Sequence, residues 1–240
     1  HTRIYQYVNN SWSKIGEDID GEASTDQSGH SVSLNDDGTI VAIGAIQNDG
    51  NGGDAGHVRV YQYANNNWSK LGADIDGEAS HDQSGYSVSL SSDGSIVAIG
   101  AITNDGNGNS SGHVRVYQYA NNTWTQLGAD IDGEGAGDES GFSISLSSDG
   151  SIVAIGSKLN DRNGNNAGQV RVFHYNNNQW SRIGGYIDGK SSGDQSGFSV
   201  SMSADGSIVA IGAPYSESNK GLVRMYSYPM TKVGFSSSSI

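Results

Sequence analysis

The chain has 240 residues, a formal net charge of −13, no cysteine and only 16% charged residues, and 35 of its residues are glycine. This length fits one domain or a short array of small units. The negative charge argues against nucleic acid as a partner, the lack of any apolar run of about 20 residues argues against membrane insertion, and the lack of cysteine excludes disulfides and thiolate chemistry.

The predicted elements begin with two strands at residues 3–7 and 12–15. No inner strands precede this pair in the chain. We therefore expect it to form a hairpin that represents half of a larger β unit.

The elements that follow belong to a repeat of 56 residues. The motif Asp-Gln/Glu-Ser-Gly recurs at residues 26–29, 82–85, 138–141 and 194–197. A tryptophan and an arginine keep the same step, at Trp12, Trp68, Trp124 and Trp180 and at Arg3, Arg59, Arg115 and Arg171. We divide a single domain, residues 1–240, into repeat units 1–56, 57–112, 113–168 and 169–220 and a terminal partial unit 221–240. Periods of this length indicate a solenoid, an array or a propeller.

Within the second unit, four strands are predicted in chain order. Tyr86, Val88 and Leu90 alternate with serines, and the segment 96–99 is apolar on both faces, as in a buried central strand. Two further strands are expected at 114–119 and 124–127. Four antiparallel strands in each repeated unit predict an all-β fold, a β-propeller of four blades with an extra N-terminal half-blade hairpin.

The fourth unit and the beginning of the terminal partial unit together carry a family resemblance. The pieces Ser196–Val200, Asp205-Gly206, Ile208–Pro214 and Gly221–Tyr226 follow one another as in an FG-GAP repeat of the integrin-alpha type. The other units are similar, with Gly44-Ala45, Gly100-Ala101 and Gly156-Ser157 at the matching place. The resemblance implies an extracellular, secreted or cell-surface propeller that binds a protein or glycan ligand.

The calcium loop of FG-GAP blades, between their first and second strands, is degenerate here. In the second unit its positions hold Ser89, Ser91, Asp93, Gly94 and Val97. Most of the oxygen ligands that calcium requires are missing. We therefore expect a plain hairpin turn at this loop.

Two other acidic segments are candidates for Ca²⁺. The first is the loop between the second and third strands, whose candidate ligands are Asp49, Asn51, Asp105, Asn107, Asp161 and Asn163. The second is the connection between units, Asp18–Glu22, Asp74–Glu78 and Asp130–Glu134, which becomes Tyr186–Lys190 in the last copy. Plain Asn-Gly turns and a solvated loop are the alternative interpretations.

No enzyme signature is found among the histidines. His57 and His113 are equivalent, but the third copy of this position is Gln169, and no metalloprotease or catalytic-triad motif surrounds them. We expect such histidines to be surface or packing residues. Near-identical copies also argue against a unique active site, so the sequence predicts a non-enzymatic protein.

The periodic tryptophans are weak candidates for ligand binding. Trp12, Trp68, Trp124 and Trp180 could each stack on a sugar, which would give a carbohydrate-binding lectin with one weak site in each blade. The alternative is packing between adjacent blades, which fits their positions inside strands.

The expected function is non-enzymatic binding, adhesion or surface assembly outside the cell. The N-terminal hairpin competes with residues 222–233 for one place in a closed ring. The ring closes with one end displaced, the hairpin adds to a neighbouring molecule, or the chain belongs to a longer array. The second outcome predicts a homo-oligomer or filament.

Overall fold

The structure is a computed structural model that describes residues 1–227 and 231–232. The regular secondary structure in this part of the chain is β-strand, apart from one short helix, α1 (Ser216–Asn219). No helix in the described ranges is long and apolar enough to cross a bilayer. The all-β prediction is confirmed.

The first two strands form a hairpin, β1 (Tyr5–Val8) and β2 (Ser11–Lys14). Asn9 and Asn10 join them with φ of 50° and 62°. Such a two-residue turn matches the twist of the flanking strands. The predicted hairpin is confirmed, with strand limits shifted by one or two residues.

Sheets 1 and 2 each contain five strands. Sheet 1 consists of β3 (Ser31–Leu34), β4 (Ile40–Ala45), β5 (His57–Ala64), β6 (Asn67–Lys70) and β7 (Ile75–Asp76). Sheet 2 consists of β8 (Ser84–Leu90), β9 (Ile96–Ala101), β10 (His113–Ala120), β11 (Thr123–Gln126) and β12 (Ile131–Asp132). In both, the third strand pairs along its outer edge with two short strands instead of one.

Sheets 3 and 4 each contain four strands. Sheet 3 consists of β13 (Ser143–Leu146), β14 (Ile152–Ser157), β15 (Gln169–Asn176) and β16 (Gln179–Asp188). Sheet 4 consists of β17 (Ser199–Met202), β18 (Ile208–Ala213), β19 (Leu222–Ser227) and β20 (Thr231–Lys232). Among the four large sheets of the described residues, only these two therefore have the predicted four strands.

Consecutive sheets pack face to face through their second strands. In β4, Ile40 and Ala42 pack in one core with sheet 2, whereas Val41 and Ile43 pack in another with the hairpin and Trp68. Because side chains alternate along a strand, one strand contributes to the cores on both of its sides. This explains why the second strands are apolar on both faces.

A glycine near the end of the second strand in sheets 1, 2 and 3 lets the next sheet approach closely. A methyl group on Gly44 would overlap the backbone carbonyl of Gly85 in sheet 2. That carbonyl accepts a hydrogen bond of 2.6 Å from the Ser31 hydroxyl. The glycine of the Gly44-Ala45 motif is therefore required by contact between sheets.

The two terminal sheets carry exposed apolar residues. Val32 and Leu34 on β3 are 55% and 48% exposed, and Val223 on β19 is 70% exposed, although its equivalent Val58 is buried. The hairpin packs on sheet 1 through Ile4 instead of taking the place of residues 222–227. The predicted ring closure is not seen within the described residues. Residues 228–230 and 233, which the predicted competition also involves, lie outside them.

Candidate functional site

Two histidines begin the third strands of sheets 1 and 2. His57 lies between Ala45 and Asp76 in the register of sheet 1, and His113 occupies the same place in sheet 2. Neighbouring strands on both sides bury each histidine to 1% exposure. Arg115, two residues after His113, lies on the same face of its strand.

The His113 cluster consists of Glu78, His113 and Asp130. His113 Nδ1 lies 3.8 Å from Glu78 Oε2 and 3.7 Å from Asp130 Oδ2. Glu78 follows the last strand of sheet 1 and Asp130 precedes the last strand of sheet 2, so the cluster joins two sheets. Arg115 Nη1 is 3.5 Å from the other carboxylate oxygen, Glu78 Oε1. Arg115 Nη2 donates a hydrogen bond of 2.8 Å to the Asp76 carbonyl.

A second cluster repeats this arrangement 56 residues earlier. In this His57 cluster, the potential ligand atoms of Glu22, His57 and Asp74 lie within 4.8 Å of one another, as in the His113 cluster. Arg59 Nη1 lies 3.4 Å from Glu22 Oε1. The repeat thus brings the same residue types together twice, but His57 Nδ1 lies 4.0 Å from Asp76 Oδ1 instead of pairing at this distance with Glu22 or Asp74.

The third copy lacks this chemistry. Gln169 replaces the histidine, is fully buried, and donates a 3.0 Å hydrogen bond from Nε2 to Asp188 Oδ1. Tyr186 replaces the aspartate and packs against the guanidinium groups of Arg162 and Arg182, at 3.8 and 3.6 Å from the ring centroid. The position therefore accepts glutamine without a gap in the fold.

Burial sets the protonation of the clusters. Burial first, and the Arg115 guanidinium second, lower the pKa of His113 to about 4. Burial also lowers the pKa of His57 and raises the pKa of Glu78, the latter against the opposing effect of Arg115. At neutral pH, both imidazoles are therefore neutral and can act as ligands or hydrogen-bond partners.

An open pocket of about 230 Å³ adjoins the His113 cluster. Its lining comprises Ala129, Asp130, Ile131, Asp132, Arg171, Phe173, Gln179 and Trp180. Asp130 belongs to both the cluster and the pocket. Arg171 Nη2 donates to the Asp132 carbonyl at 2.7 Å and to Ser140 Oγ at 3.1 Å, which fixes the guanidinium against sheet 2. The pocket thus combines carboxylates, a held cation and aromatic rings.

The predicted calcium ligands take part in turns between strands. Asp49 Oδ1 accepts from the backbone N–H of Asp54 at 2.9 Å, and the equivalent Asp105 and Asp161 accept in the same way. Asn51, Asn107 and Asn163 each donate to two carbonyls of the following connection. These residues are outside the two ligand clusters found among the described residues. Calcium binding at this loop stays a prediction.

The tryptophans differ in exposure. Trp68 and Trp180 are 8% and 9% exposed, whereas Trp12 is 69% exposed. The indole N–H groups of Trp68, Trp124 and Trp180 donate to carbonyls of the preceding unit at 2.7–3.0 Å. Three of the four therefore pack between units. Sugar binding by the tryptophans stays a prediction.

Sequence reasoning considered the acidic connection and the histidines separately. The structure brings Glu78 and Asp130, which come from two different copies of the connection, to His113. A signal was present: the copy with Gln169 in place of histidine is also the copy with Tyr186 in place of aspartate. Two positions that change in the same copy of a repeat are candidates for contact.

Comparison with known families finds one match. The family model described as FG-GAP repeat matches residues 69–117. The FG-GAP resemblance is confirmed for this segment. It covers the last strands of sheet 1 and the first strands of sheet 2, including Glu78 and His113. No curated protein sequence matches the chain.

Solved structures with a similar fold include three enzymes or enzyme candidates. The chain resembles a putative 6-phosphogluconolactonase from Bacteroides uniformis (13% identity, TM-score 0.59) over 96% of its own length and 63% of that chain. The periplasmic gluconolactonase of Pseudomonas aeruginosa is 14% identical with a TM-score of 0.60, and the match covers 97% of this chain and 62% of that chain. The hydrazine synthase of Kuenenia stuttgartiensis is 14% identical with a TM-score of 0.51, and the match covers 88% of this chain and 49% of that chain. The chain thus spans less than two thirds of each of these proteins, and at these identities the likeness establishes the fold.

These comparisons correct the functional expectation. The sequence predicted a non-enzymatic adhesion or surface-assembly protein, with a lectin as the alternative. That prediction is wrong, because two of the similar folds carry the names of lactonases, which are enzymes. The error came from treating equal repeats as incapable of a unique site. In fact, the third copy differs from the first two at Gln169 and Tyr186.

Proposed function

We propose that the protein is a β-propeller hydrolase that opens a small lactone in the pocket next to the His113 cluster. In this proposal, sheets 1 to 4 are four blades and the β1–β2 hairpin is an additional half blade. The face-to-face packing of successive sheets and the likeness to two proteins named as lactonases support it.

The observation that carries the proposal is the composition of the pocket. Asp132 and Arg171 line one cavity of about 230 Å³ together with the rings of Phe173 and Trp180. Aromatic faces bind the apolar faces of sugar rings, and a carboxylate with a guanidinium suits an oxygen-rich substrate. A cavity of this size fits a single sugar-sized ring.

Lactone opening needs two groups of this kind. Water attacks the carbonyl carbon, the ring C–O bond breaks, and the ring oxygen takes up a proton, so a hydroxy acid is formed. The Asp132 carboxylate is the base that accepts the proton of water. The Arg171 guanidinium stabilises the negative charge that develops on the carbonyl oxygen.

Hydrolysis of glucono-δ-lactone and of its 6-phosphate tests the proposal. We expect turnover above the spontaneous rate for at least one of them, and a loss of about 100-fold or more in kcat for Asp132→Asn. Asp76→Asn, the equivalent change one repeat earlier, is the matched control, because Asp76 is not among the residues that line this pocket. Equal activity of the two variants, or no turnover by the wild type, would overturn the proposal.

The remaining expectations stay predictions. An extracellular location, a protein or glycan ligand and a homo-oligomer rest on the family resemblance and the sequence pattern.

A further inference from the structure

We propose that Glu78, His113 and Asp130 bind a divalent transition-metal ion, of which Zn²⁺ is the best fit. This inference concerns ion binding and does not depend on the proposed lactone hydrolysis. It rests on the spacing of the donor atoms, on an unpartnered buried nitrogen and on a comparison between repeats.

The donor atoms have nearly the spacing that zinc requires. Ligand atoms about 2.0–2.2 Å from a tetrahedral zinc ion are about 3.4 Å apart. The two measured separations from His113 Nδ1 are 3.7 and 3.8 Å, and all three donors lie within 4.8 Å of one another. Contraction of the two histidine separations by a few tenths of an ångström, and of the carboxylate separation from at most 4.8 Å, therefore brings the three into a coordination sphere.

His113 supplies an independent indication of a ligand. Its side chain is only 1% exposed, so water does not reach Nδ1 freely. Within the described structure, Nδ1 has no hydrogen-bond partner. Buried polar atoms almost always have a partner. Both carboxylates are too far from Nδ1 for a hydrogen bond, which requires about 3.2 Å or less. An ion between the three groups would satisfy this nitrogen.

The surroundings hold one carboxylate in place. Arg115 pairs with Glu78 Oε1 and leaves Oε2 directed towards His113. Such contacts outside the coordination sphere orient metal ligands.

The donor set selects the class of ion. One imidazole nitrogen and two carboxylate oxygens suit zinc and its first-row neighbours, whereas calcium takes six to eight oxygen ligands. Glu78 and Asp130 are 44% and 28% exposed, so a fourth position is open to solvent. Three protein ligands with one open position are typical of reactive zinc sites rather than structural ones.

The test is calorimetric titration of ZnCl₂ into the chelator-treated protein. We expect three variants, His113→Gln, Glu78→Gln and Asp130→Asn, each to lower the affinity for one equivalent of zinc by about 10-fold or more. His113→Gln is expected to fold, because Gln169 occupies the same buried position in sheet 3. His57→Gln is the matched control: it alters the equivalent cluster and should retain the equivalent that depends on His113.

Nitrogen-15 NMR of the imidazole side chains provides a second measurement. Zinc should shift the His113 Nδ1 resonance in the wild type and in His57→Gln. Absence of zinc binding by the wild type would overturn the inference. So would His113→Gln protein that binds zinc with unchanged affinity and stoichiometry, because the ion would then be held by other histidines. Neither measurement reads lactone hydrolysis, so the metal site and the proposed activity succeed or fail separately.

Discussion

At the scale of single residues, one glycine in the second strand of sheets 1, 2 and 3 determines how closely the next sheet approaches. Gly44, Gly100 and Gly156 each lie against the carbonyl of a glycine in the following sheet. The serine hydroxyl next to each of them donates to the same carbonyl at 2.6–2.7 Å. Neither residue of the contact can carry a larger side chain without separating the sheets.

Gly100→Ala tests this contact. The added methyl group would overlap the Gly141 carbonyl, so we expect a loss of about 1–3 kcal/mol in the free energy of unfolding. Urea denaturation provides the measurement. Gly212→Ala is the matched control, because a methyl group there meets only Ser199 of its own sheet. Equal destabilisation by both changes would show that the serine, and not the next sheet, limits the space.

Residue-level prediction from the sequence identified recurring positions but not the contacts between distant residues. The family motif identified Gly100 as a recurring position, although not its contact with the next sheet. His113 was taken for a surface or packing residue, because its partners Glu78 and Asp130 are 35 and 17 residues away in the chain. Folding brings these three residues together. The pKa of His113 depends on burial, which the sequence alone does not give.

At the scale of elements, the third strands of sheets 1, 2 and 3 and their tryptophan partners attach one unit to the preceding one. The Trp68 indole N–H donates 3.0 Å to the Ile15 carbonyl, and Trp68 packs against Tyr63 with ring centroids 5.1 Å apart. Trp12 makes the same kind of ring contact with Tyr7 at 5.3 Å but is 69% exposed. The two tryptophans therefore have nearly the same neighbours in sequence, but only Trp68 is buried in an interface between units.

Trp68→Phe should destabilise the protein by about 1–3 kcal/mol, because it removes a buried hydrogen bond and leaves the Ile15 carbonyl without its donor. Trp12→Phe should change the free energy of unfolding by no more than about 0.5 kcal/mol, as for other exposed positions. The midpoints of urea denaturation compare the two. If both variants lose the same stability, the tryptophans contribute through their tyrosine contacts and not through the interface.

Strand prediction was most accurate for the second strands and least accurate for the outer ones. The segment Ile96–Ile99 is apolar on both faces because it packs against sheets on both sides, and this pattern is visible in the sequence. The outer edge of sheet 2 was predicted as one strand. It forms β11 and β12, because the chain leaves the sheet after Gln126 and rejoins it at Ile131. Such an interruption has no signature in the hydrophobic pattern.

At the scale of the whole molecule, the order of the sheets follows from the repeat, whereas ring closure does not. Each unit carries the residues that pack against its neighbours. The sequence therefore predicts the order in which the sheets follow one another, but not how the first and last sheets meet. The exposure of Leu34 and Val223 shows that these two sheets leave apolar surface uncovered. Stability in such an array depends on the interfaces that each sheet makes.

Hydrogen exchange should reveal this gradient, because β4, β9 and β18 have the identical sequence Ile-Val-Ala-Ile-Gly-Ala and therefore nearly equal intrinsic exchange rates. All six residues are buried in β4 and β9, whereas alternate residues of β18 are partly exposed. We expect amides of β18 to exchange at least about tenfold faster, a difference of about 1.4 kcal/mol in opening free energy. Mass spectrometry of the three peptides measures the ratio. Equal rates would mean that the sheets open as one cooperative unit and that the uncovered face of sheet 4 does not weaken it.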